Sequence, residues 1–109
     1  MKFLTNLLQI PKDELKKLSY CFHYNKPASY KAPYAVWQEQ GEKSFNSDNA
    51  KAERSLECVI DFYTLTENDP KLDEIEQALV NMGAAWSLTS VMFESESNLT
   101  HFTWNFSVE

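Results

Sequence analysis

The feature that most constrains this chain is the period-two alternation of residues 54–65, where Leu56, Cys58, Ile60 and Phe62 take one side and Ser55, Glu57 and Asp61 the other. Side chains of a strand point alternately to its two faces, so this pattern predicts a half-buried strand. The end of the chain repeats it. Phe102, Trp104, Phe106 and Val108 share one side, and His101, Thr103, Asn105 and Ser107 the other. Two such strands require a sheet with one dry face and one wet face. Between them, Asn68-Asp69-Pro70 signals a helix start: Asp69 caps, Pro70 suits the first turn, and Asp73 and Glu74 face the positive end. Leu72, Ile75, Leu79 and Val80 then form one stripe, and Gly83 suits a left-handed helix end, which predicts a helix over 70–82. Strands over 86–93 and 99–108 follow, joined through Glu94 to Asn98.

The first half is less regular. Leu4, Leu7, Leu8, Leu15 and Leu18 recur at helical spacing, but Pro11 either starts a helix or kinks one. With Pro11 in a first turn, Asp13 and Glu14 after it and Lys16-Lys17 at the far end, a helix over 11–18 agrees with the helix dipole, with a further helix expected before it. Tyr20, Phe22 and Tyr24 alternate with Cys21 and His23 as a short strand, and Tyr34 to Gln38 resume extended character after a proline-containing loop. Residues 40–53 are almost all polar, with Phe45 the one large apolar residue, which predicts a mobile loop. The expected fold is therefore α+β: a mainly antiparallel sheet of four to five strands, with helices over about 11–18 and 70–82 packed on one face. Its core is expected to hold Leu56, Ile60, Phe62, Leu72, Ile75, Leu79, Phe102, Trp104 and Phe106.

With 109 residues and 43% hydrophobic content, one domain is expected. Sixteen acidic residues against ten basic ones give a formal charge of −6, and no basic run exceeds Lys16-Lys17. Phosphate neutralisation dominates nucleic-acid affinity, so specific nucleic-acid binding is not expected. Two glycines leave no phosphate-cradling loop, and two cysteines make no disulfide framework. Thr5, Asn6 and Gln9 interrupt the apolar start, so neither a signal peptide nor a membrane association is expected.

Cys21, His23, Cys58 and His101 are the soft metal ligands, but they lack any paired spacing, and packing explains them better than a metal. No serine or cysteine sits in a glycine-flanked nucleophile context, and Glu57, Asp61, Glu94 and Glu96 read as solvated positions. Neither catalysis nor a cofactor is expected. Trp86, Trp104, Phe62 and Phe102 are expected to be buried. Tyr34 and Trp37, on a short strand, are the aromatics expected on a contact surface, together with Lys43, Phe45 and Lys51 of the polar stretch.

The order Pro33-Tyr34-Ala35-Val36-Trp37, polar loop, hydrophobic strand over 56–64, helix opened by Asp69-Pro70, and strand 86–94 paired with 101–108 resembles the small tail-terminator, or tail-completion, proteins of long-tailed bacteriophages and prophages. The resemblance covers roughly residues 30–109. It implies a structural virion protein, assembled in the host bacterial cytoplasm, that closes into a homo-oligomeric ring, most simply a hexamer built by heterologous contacts. That ring would stop tube growth at the head-proximal end and meet the tail-tube and head-connector proteins. An acidic surface fits a ring through which DNA must slide. A head-completion or other neck protein, or a bacterial protein-binding adaptor domain, are the alternatives.

Overall fold

A computed structural model describes residues 2–44 and 54–109. The order is α1 (Leu4–Leu15), β1 (Cys21–His23), β2 (Tyr34–Ser44), β3 (Arg54–Thr64), α2 (Lys71–Asn81), β4 (Ala85–Glu94) and β5 (Leu99–Val108). The strands form one sheet in the order β1-β2-β3-β5-β4, with β1 parallel to β2 and every other pair antiparallel. The fold is α+β, as the alternating strands and the single capped helix between them require. No described helix is long and apolar enough to cross a membrane.

The register in β3 and β5 follows the hydrophobic pattern. Leu56, Cys58, Ile60 and Phe62 pair with Val108, Phe106, Trp104 and Phe102 on the inner face. Leu7 and Leu15 of α1 and Ile75 and Leu79 of α2 complete the same buried cluster. Of the expected core, Leu72 and Phe102 are only partly buried and pack against that cluster from its rim. Val80 is exposed, because Ala78 and Leu79 take the buried positions of α2's last turn.

Two elements differ markedly from expectation. The first helix runs over Leu4–Leu15 with Pro11 inside it, not over 11–18. Leu7, Pro11 and Leu15 form its buried i, i+4, i+8 row. An interior proline costs a helix about 3 kcal/mol, and here burial of that row opposes the loss. Beyond Leu15 the chain tightens through Leu18 N–H to Leu15 O and Cys21 N–H to Leu18 O, at 3.1 and 3.0 Å, and turns into β1. The polar residues 40–44, expected in a loop, belong to β2, where Gly41 to Ser44 pair with Glu57 to Arg54 of β3 beyond a bulge at Gln40. A fork from Arg54 Nε and Nη2 to the two Glu42 oxygens, at 2.9 and 3.0 Å, ties this end together. Polar composition marks a solvated strand end as readily as a loop. The remainder of the expected mobile loop, with Phe45 and Lys51, lies outside the described residues.

The β3-to-α2 connection is held by Asp69, a buried residue. Its Oδ1 accepts the Lys71 N–H at 2.9 Å and its Oδ2 accepts the buried Thr64 hydroxyl at 2.6 Å. At the other end, Gly83 adopts a left-handed φ of 69°, with Gly83 N–H on Val80 O and Ala84 N–H on Leu79 O. These two bonds satisfy the carbonyls a helix end leaves open. Asp69→Ala removes a cap and leaves the Thr64 O–H without its acceptor, so a loss of about 1–3 kcal/mol is expected in urea unfolding. Asp69→Asn keeps one acceptor and should lose less; equal losses for the two variants would show that hydrogen bonding at Asp69 is not what holds the connection.

Candidate contact surface

The helices cover the inner face of β2, β3 and β5 but leave β4 bare. β4 is an edge strand, and nine of its ten residues are exposed; only Ser90 is intermediate. Its register with β5 places Trp86, Leu88, Val91 and Phe93 opposite Phe106, Trp104, Phe102 and Thr100, on the same face as the core. A bulge between Leu88 and Ser90 accommodates Thr89, whose hydroxyl donates to Thr103 O at 3.2 Å, and keeps the apolar row on one face despite the extra residue. Trp86 is 37% exposed and Phe93 63%, with Leu88, Val91 and Met92 between those values. The inner face is thus an apolar surface that continues past its helical cover. An isolated edge strand is normally blunted by charge or proline, whereas β4 carries no charged residue before Glu94.

The outer face is polar and already paired with itself. Tyr34 stacks on Tyr63 at 4.9 Å between ring centroids, and Tyr63 on His101 at 4.2 Å. Lys26 caps the row 5.0 Å from the Tyr34 centroid. Asp61 Oδ1 lies 2.7 Å from His101 Nε2 and accepts the Thr103 hydroxyl at 2.8 Å. The rings turn their faces to one another, so the row is a brace across three strands. This cross-strand set was not named from sequence, although Asp61, His101 and Thr103 all fall on the polar sides of their strands.

At the β1 edge, His23 is sandwiched between Trp37 and Tyr24, with centroids 3.9 and 3.8 Å away. His23 Nε2 is 2.8 Å from Glu39 Oε1, and the Tyr24 hydroxyl donates to Glu39 Oε2. Cys21 and His23 share the inner face, beside Lys12, Leu15 and Lys16 in a depression of about 310 Å³. Burial raises the Cys21 thiol to about 12, and Cys58 likewise to about 12, so neither is a thiolate at neutral pH. His101 lies on the opposite face, and the described residues contain no group of three or more metal-ligating side chains.

Glu39 supplies a pH test. Burial alone would raise its carboxyl, but hydrogen bonds from Tyr24 and His23 outweigh that and hold it below the ordinary range. Its contribution to stability is therefore complete above the unfolded carboxylate value of about 4.3 and disappears as pH falls through the lower, folded value. Thermal melts of Glu39→Gln should be less stable than the parent at neutral pH and lose less on acidification below that value. Parallel pH profiles would overturn the assignment.

The residues expected on a contact surface separate. Trp37 is a correction: it is 3% exposed and part of the core, because α1 lies over the inner face of β2 and the His23 ring stacks on the indole. Tyr34 is half-buried on the outer face within the stacked row. Lys43 lies on β2 opposite Ser55, while Phe45 and Lys51 are outside the described residues. Trp86, expected to be buried, is instead among the exposed aromatics. The signal available in sequence was the unbroken apolar run Val91-Met92-Phe93, which ignores the alternation a half-buried strand should keep. No protein-family model and no curated protein matches this chain.

Proposed function

We propose that this chain is a structural subunit of a phage particle, a tail-terminator or tail-completion protein that works through contacts with copies of itself and with the tail tube. The observation that carries the reading is β4. A ten-residue edge strand whose inner row of Trp86, Leu88, Val91 and Phe93 lies outside the helical cover fits a subunit completed by neighbours. The order of elements over residues 30–109, through which the chain resembles that family, supports the same reading, and the −6 charge suits a channel that must not hold DNA. No chemical step is assigned to the chain; the role is positional.

A tube of rotational symmetry is capped most simply by a ring of matching symmetry, and a heterologous contact that closes yields such a ring. The expected result is a hexamer on tubes of the same phage, with tube length limited, as sized by light scattering. Because the subunit is acidic, the ring should weaken at low ionic strength, where self-repulsion is least screened. Protein that never joins the tubes and leaves their length uncontrolled would remove the terminator reading and leave an adaptor whose β4 edge takes up a peptide strand.

A further inference from the structure

The pattern along β4 is complementary to itself. The bulge at Thr89 sets Trp86, Leu88, Val91 and Phe93 on the inner face, all opposite the same alternating set of β5 residues, so their backbone groups share one orientation toward the free edge. If a second β4 is laid antiparallel along that edge, with the two-fold axis between Thr89 and Ser90, Trp86 faces Phe93 of the second copy and Leu88 faces Val91. Ser87 then faces Met92 on the outer side, and Glu94, the strand's single charge, faces Ala85 and not another carboxylate.

The other free edge of the sheet is a poorer match. Among the described residues β1 pairs only with Ala35, Val36 and Trp37 and nothing pairs with β2 beyond them on that side, but there its inner-face positions carry Glu39 and Glu42. Seating Trp86 and Leu88 against those residues would take engaged carboxylates out of water, at a cost that apolar contacts do not return.

Of the five exposed apolar side chains of β4, Trp86, Leu88, Val91 and Phe93 lie on the inner face, so a second copy along the edge brings their flanks together, while Met92 meets Ser87 on the outer face. We propose that free subunits pair isologously through β4, each packing against the flank of the other's apolar row. The bulges interrupt the backbone ladder at the axis, so the cross-strand pairs Trp86 with Phe93 and Leu88 with Val91 supply most of the hold. A two-fold pair closes on itself and does not extend into a ring. In the tail reading it is the stored form of the subunit, opened where the tube end competes for β4; the pair itself does not depend on that reading.

The test uses the full chain without tubes, so its outcome is separate from tube-length control. Light scattering across a dilution series should give twice the monomer mass, falling to the monomer on dilution. The double variant Ser87→Cys, Met92→Cys should become a covalent dimer on mild oxidation, because opposed positions in such a pair lie about 5 Å apart between Cα atoms. Within one chain these positions are about 16 Å apart along the strand and cannot join. Wild-type protein, with Cys21 and Cys58 sheltered, is the control and should not cross-link. Val91→Lys, at an exposed position, should stay folded by cooperative melting but run as a monomer. A wild-type monomer at every concentration, a dimer without the cross-link, or a Val91→Lys variant that still pairs would each overturn the proposal.

Discussion

Ile60→Asp should abolish folding. Ile60 is fully buried at the centre of β3, opposite Trp104 on β5 and Trp37 on β2, and Leu7, Leu15, Ile75 and Leu79 of the helices belong to the same cluster. An aspartate there has no hydrogen-bonding partner within an apolar surrounding, and an isolated buried carboxylate costs more than the 5–15 kcal/mol that holds a typical domain together. The carboxyl would take up a proton before staying charged, yet even the neutral acid leaves its polar atoms unpaired and the isoleucine volume unfilled. Expression should give aggregated protein, or soluble protein without a cooperative melting transition. A soluble, cooperatively melting variant would show that the inner face of β3 is not the dry one.

The second large effect is expected at Trp104. It is 1% exposed, lies between Ile60 on β3 and Leu88 on β4, and its indole Nε1–H donates to Glu76 Oε2 of α2 at 2.9 Å. The residue thus combines the largest buried volume in the sheet with a polar link to the second helix. Trp104→Ala should lose about 3–5 kcal/mol in urea unfolding, from the cavity and the lost contacts. Trp104→Phe keeps most of the ring and removes the donor, so a smaller loss of about 1–2 kcal/mol is expected. Glu76→Gln retains an acceptor for the indole and should be milder than either. If Trp104→Phe proves as damaging as Trp104→Ala, the hydrogen bond to Glu76 dominates and packing is secondary.

Both effects were accessible from the alternation of residues 54–65 and 99–108, because a strand with one buried face writes its orientation into every second residue. The helix over 70–82 was equally legible. Asp69, Pro70 and Gly83 act within a few residues of their own backbone, so their roles survive whatever the rest of the chain does. The first helix runs through Pro11 because the proline ring fills the buried row between Leu7 and Leu15, a role that only packing reveals.

The surface followed neither composition nor period. Trp37 and Trp86 are both aromatic residues on apolar sides of strands, and nothing local separates them. Position in the sheet does: β2 is flanked by β1 and β3 and lies under α1, while β4 is an edge strand outside the helical cover. Likewise Gln40 to Ser44 are polar enough for a loop, yet pairing with Arg54 to Glu57 draws them into the sheet. By itself the sequence determined which residues alternate, where α2 begins and ends, and that a dry face must exist, since these depend on near neighbours along the chain. Only the tertiary structure decided which part of that dry face stays uncovered, because cover depends on strand order and helix placement, and those are set by contacts between residues far apart in the chain.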